Sequence, residues 1–105
     1  MTDKRVVLTT CGSPEEARRM ARELVERRLA ACVNIVPQIE SVYLWKNEIE
    51  TATEYLLMIK TTAAAFDRLR DAIRELHSYD LPECVQIVIE DGSAAYLDWI
   101  AESVR

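Results

Sequence analysis

The chain has 105 residues, with 13 Lys plus Arg against 18 Asp plus Glu, a net charge of -5, three cysteines and one histidine. That length supports one domain with one core, and an acidic balance with dispersed basic residues excludes a nucleic-acid footprint. No apolar stretch approaches the roughly 20 residues a membrane span requires, so neither nucleic acid nor membrane is expected as a partner.

In chain order, Arg5 to Thr10 reads as a short β-branched strand, and Gly12-Ser13-Pro14 as a turn into a helix. Ser13 suits the N-cap, Pro14 the first helical position, and Glu16 stands where a capping box needs a carboxylate. The apolar stripe Ala17, Met20, Ala21, Leu24, Val25 predicts a helix ending near Leu29-Ala30. Its other face interleaves Arg18, Arg19, Arg22, Arg27 and Arg28 with Glu15, Glu16, Glu23 and Glu26, the pattern of a solvated face.

A second strand runs from Ala31 to Trp45 with a bend at Pro37, which cannot donate to a ladder. Lys46-Asn47 predicts a hairpin tip, from which a third strand returns over Glu48 to Thr61. Beyond Pro37 each arm reaches about 26 Å at the usual strand rise. Thr62 is expected to cap a second helix with the stripe Phe66, Leu69, Ala72, Ile73, Leu76. A connector, His77 to Pro82, leads to a fourth strand over Glu83 to Glu90. After Asp91-Gly92, Ser93 caps a third helix burying Leu97, Ile100, Ala101 and Val104. The order predicts a single α+β domain over residues 1–105: a ferredoxin-like βαββαβ antiparallel sheet with an extra C-terminal helix.

Tyr55 to Ile59 and Val85 to Ile89 lack the alternation of a one-sided sheet. In the hairpin, Ser41, Tyr43 and Trp45 share one face while Val42 and Leu44 hold the other. Three short helices cannot cover so much two-faced apolar surface, so a second copy of the chain is the expected partner.

No metalloprotease helix motif, Gly-rich phosphate loop or nucleophile constellation is present, and the chain does not read as an enzyme. Cys11 stands just ahead of a helix N-terminus, where the dipole favours thiolate, and His77 is the only imidazole. Together they form a candidate donor pair for copper, with water, a residue such as Glu83 or a group from a neighbouring subunit to complete the coordination. The competing readings are a small residue closing a turn for Cys11 and a capping or packing side chain for His77. Cys32 and Cys84 read as core thiols. Unpaired cysteines and the lack of an apolar signal core point to the cytoplasm.

The segments Leu29-Ala30-Ala31-Cys32-Val33-Asn34-Ile35 with Pro37, then Ser41, Tyr43, Trp45, Glu54, Lys60-Thr61, His77-x-Tyr79-x-x-Pro82-Glu83 and Tyr96-Leu97-x-Trp99-Ile100 resemble the CutA divalent-cation tolerance family over almost the whole chain. The resemblance implies a ferredoxin-like fold, a tight homotrimer akin to the PII signalling trimers, and binding of copper or another divalent cation. It further implies that Tyr43, Trp45, Glu54, Lys60, Tyr79 and Glu83 line clefts between subunits; the competing reading of these residues is interface contact, aromatic anchors with satisfied ion pairs. Two departures stand out: Ser78 replaces the usual proline, and Leu76 stands where some members carry a second histidine beside His77. The expected function is that of a cytosolic, homotrimeric metal-binding protein associated with divalent-ion tolerance. The alternative is a PII-like sensor that binds a small metabolite in those clefts and signals to a partner.

Overall fold

The computed structural model describes residues 1–105. Its elements are β1 (Lys4–Cys11), α1 (Pro14–Glu26), β2 (Cys32–Trp45), β3 (Glu48–Thr62), α2 (Phe66–Leu76), β4 (Val85–Val88) and α3 (Ala94–Ser103). The four strands form one sheet in the order β2-β3-β1-β4, antiparallel at every pairing. This is the ferredoxin-like arrangement that the element order predicts.

Alternation along the strands separates two faces. Val7 of β1 and Leu57 and Ile59 of β3 are fully buried against Met20 and Leu24 of α1 and Leu69 and Ile73 of α2. Each such side chain contributes about 1.5–3 kcal/mol on burial. On the other face Val6, Leu8, Leu56 and Met58 are only half-buried, and Val85 and Ile87 of β4 are 49% exposed. Helix α3 contacts β3 and β1. Its Ile100 is buried outside the main cluster, so α3 covers only part of this second face.

β1 stops pairing at Cys11↔Tyr55, whereas β2 and β3 continue together to Trp45↔Glu48. The result is a two-stranded arm that stretches the molecule to 44 Å in its longest dimension. A bulge between Val36 and Ile39, with Gln38 at φ 59°, aims the arm, and its tip has Lys46 and Asn47 at φ 51° and 67°. Two successive left-handed residues make the hairpin turn whose twist matches the strands. Val42, Leu44 and Ile49 stand 65%, 68% and 77% exposed on it.

Several boundaries differ from expectation. Helix α1 ends at Glu26, short of Leu29-Ala30, because Arg28 turns left-handed (φ 61°) while Leu29 and Arg28 donate their N–H groups to the Leu24 and Val25 carbonyls. That is a Schellman closure. Thr62 caps only a preceding turn, its hydroxyl accepting from the Ala65 N–H at 3.3 Å; α2 begins at Phe66. β4 covers Val85–Val88 and not Glu83 to Glu90, since its ladder lies against Arg5 to Leu8 alone. In α3, Ile100 is buried but Ala101 is exposed, and Tyr96 and Trp99 also face out. Cys32 and Cys84 are half-buried, the latter lying ahead of β4.

A left-handed residue with a Cβ carries a steric cost of about 1 kcal/mol or more that glycine does not. Arg28→Gly should therefore raise unfolding free energy by about 1 kcal/mol, read as a higher urea midpoint at unchanged m-value.

An acidic groove at the base of the arm

Where β1 ends, the sheet loses a strand, and the segment after α2 crosses the gap. Thr10, Ser41 to Trp45, Glu54 and Tyr79 to Glu83 enclose a groove of about 720 Å³. Glu54 occupies the first position of β3 beyond its last partner on β1. Its carboxylate is buried and accepts a hydrogen bond from the Tyr79 hydroxyl at 2.8 Å. Burial pushes the Tyr79 phenol up, and the bond to Glu54 adds to the shift. Asp80 and Glu83 also line the groove, whereas no Lys or Arg does. Tyr43, Trp45, Val42, Leu44 and Leu81 supply its apolar walls.

The structure gathers Tyr43, Trp45, Glu54, Tyr79 and Glu83 around one groove of a single chain, and Lys60 lies outside that groove. Lys60 lies six residues along β3 from Glu54, about 20 Å at strand rise, and its ammonium donates to Asn34 Oδ1 instead. Cys11 departs from the expected thiolate. Its side chain turns into the core, with Sγ 3.5 Å from Met20 Sδ. Burial, with the nearby Glu16 and Glu54 carboxylates, pushes its pKa up to about 12. Desolvation is the largest influence on the thiol and outweighs the helix dipole.

His77 follows α2 directly, and its side chain has no solvent exposure. Nδ1 accepts the Tyr79 N–H at 3.1 Å, which leaves the ring proton on Nε2 to donate to the Thr10 carbonyl at 2.6 Å. Both nitrogens that could bind a metal are thus engaged, and the ring lies 4.6 Å from that of Tyr79 between centroids. Neither Cys11 nor His77, as placed, fits a copper ligand. Within one chain no three His, Cys, Asp or Glu side chains converge on a common point.

Glu16 is the residue that sequence reasoning assigned to the wrong task. The cap is half made: Ser13 Oγ accepts the Glu16 N–H at 3.1 Å. The Glu16 carboxylate turns away to Ser78, accepting its N–H at 2.8 Å and its hydroxyl at 3.1 Å. Asp80 and Thr10 also escaped notice. Sequence carries a signal only for Asp80, the single carboxylate of the His77 to Pro82 connector.

Burial opposes the ionisation of Glu16 and is the largest single influence on it. The Ser78 hydrogen bonds, His77 and the Gly12 N–H together outweigh burial and hold the carboxyl below its usual 4.5. A depressed carboxyl pKa contributes stability that is fully present above the unfolded value and is lost as pH falls through the folded one. Stability of the native chain should therefore decline below about pH 4.5. Glu16→Gln should flatten that decline, as followed by urea midpoints across an acid pH series.

Comparison with known proteins agrees with this architecture. The sequence pattern of the family described as CutA1 divalent ion tolerance protein matches residues 5–103. The divalent-cation tolerance protein CutA of Thermus thermophilus is 49% identical over 98 residues, covering 93% of this chain and 95% of that one. The human protein CutA is 43% identical over 93 residues, covering 89% of this chain and 52% of its own length. Among solved structures, the divalent cation tolerance protein of Thermus thermophilus superposes with a TM-score of 0.96 at 47% identity, covering 97% of this chain and 99% of that one. CutA from Xylella fastidiosa gives 0.96 at 36% identity, covering 99% and 100%. With the profile spanning nearly every residue and the fold matched end to end, the chain belongs to the CutA1 divalent ion tolerance family.

Proposed function

We propose that the protein works as a homotrimer that binds a divalent cation, copper among the candidates, in the groove at the base of the arm, by binding and not by turnover. The observation that carries this reading is the charge of the groove: Glu54, Asp80 and Glu83 line it without a basic residue. Carboxylate oxygens suit divalent cations. An anionic metabolite of the kind a PII-like sensor takes would meet negative charge with nothing to offset it. The relatives' names, divalent-cation tolerance protein, point the same way. Water or groups from a second copy complete the coordination.

Assembly is supported by the exposed apolar surface. A two-stranded hairpin is marginal in water unless covered, yet Val42, Leu44, Ile49 and Trp45 stand exposed on the arm. The second sheet face leaves Val85 and Ile87 uncovered as well. Patches of that kind mark an association surface, and three copies that exchange arms hide both. The three free cysteines support a reducing, cytoplasmic setting.

Light scattering should give three times the 12.0 kDa chain mass, with a melting temperature that rises with protein concentration. A micromolar monomer overturns the assembly. Copper titration of untagged protein should show binding that weakens in Glu54→Gln and Glu83→Gln and persists in Cys11→Ala; the reverse pattern returns the site to the Cys11–His77 pair.

A further inference from the structure

We infer that Glu16, which lies on α1 outside the groove, is the positioning residue for the cation site: its buried carboxylate holds the His77–Tyr79 segment so that the Tyr79 hydroxyl reaches Glu54. This rests on the reading of the groove as a cation site.

The segment needs holding. From His77 to Cys84 the chain has neither helix nor strand, so no ladder fixes the places of Tyr79, Asp80 and Glu83, which all line the groove. The two oxygens of Glu16 grasp one residue, Oε2 taking the Ser78 N–H and Oε1 its hydroxyl. A two-point grip sets the orientation of the peptide as well as its distance. The His77 ring in turn ties the Thr10 carbonyl to the Tyr79 N–H and packs beside the Tyr79 ring.

The far end of this chain of contacts is the 2.8 Å bond from Tyr79 to Glu54 Oε2. Gly12 leaves room for it, since a Cβ there would sit 3.1 Å from the Tyr79 hydroxyl oxygen. A buried carboxylate is costly unless hydrogen bonds compensate it. Ser78 provides that compensation with a backbone N–H and a side-chain hydroxyl. The grip therefore runs from helix to connector to groove carboxylate, with His77 as a spacer rather than a ligand.

The test compares wild type, Glu16→Gln, Ser78→Ala and Glu54→Gln by amide hydrogen exchange, by the Tyr79 ring resonance and by copper(II) titration. Glu16→Gln should accelerate exchange at Ser78 and Tyr79, shift the Tyr79 ring signal, leave the α1 and β3 core amides protected, and weaken copper(II) binding about tenfold. Ser78→Ala should do the same to a smaller degree, and it carries the test if Glu16→Gln does not fold. Unchanged exchange and an unchanged Tyr79 resonance in the Glu16 and Ser78 variants overturn the inference. So does unchanged copper affinity in both of them when Glu54→Gln weakens it. If Glu54→Gln binds copper like wild type, it is the groove reading that fails, and exchange with the Tyr79 resonance alone then decides whether Glu16 positions the segment.

Discussion

Strand β1 has eight residues and its neighbour β3 has fifteen. Much of the molecule follows from that mismatch. Hydrogen bonding between them ends at Cys11↔Tyr55, so β3 must continue with β2 alone as an arm that neither helix layer can reach. The same ending opens a gap beside Glu54, which the segment after α2 crosses. A longer β1 would satisfy those backbone groups with another strand and leave no groove.

The gap is bridged by polar contacts because apolar packing cannot position a segment that lacks a ladder. Hydrophobic burial is non-directional, whereas the bonds from Ser78 to Glu16, from His77 to Thr10 and from Tyr79 to Glu54 each specify an angle and a length. A proline at position 78 would offer neither an N–H nor a hydroxyl. Ser78 offers both to Glu16. The burial of Cys11 belongs to the same region: its thiol fills the core beside Met20, so the end of β1 is closed by packing on one side and by the His77 ring on the other.

Local chemistry made the elements readable. Ser13 and Pro14 start α1, Lys46-Asn47 takes the left-handed turn, Ser93 caps α3, and the two-faced composition of β3 reappears as a buried face and a half-covered one, while β4 is exposed throughout. These features depend on neighbours in sequence and on periodicity, which one chain displays directly. Boundaries were less readable where a partner set them: the four-residue β4 is limited by β1, and the early end of α1 by a closure that uses arginine where glycine is the common choice.

Sequence position says less about the role of a polar side chain than about the element on which it stands. Glu54, Tyr79, Glu83, Tyr43 and Trp45 come together, but Lys60 does not, because spacing along a strand separates by distance what a list of residues puts side by side. Cys11 and His77 illustrate the limit most clearly. Sequence determined that a thiol precedes a helix and that the single imidazole follows one, and from those positions alone both look available. Only the tertiary structure decided that Sγ turns inward, where desolvation outweighs the dipole, and that both ring nitrogens are taken by backbone partners, Thr10 being 67 positions away. Glu16 is the converse: its sequence position offers a local role at the helix cap, and a residue 62 positions later claims the carboxylate instead. Element type is a local property of the chain. The state and partner of a polar side chain depend on what long-range packing brings beside it.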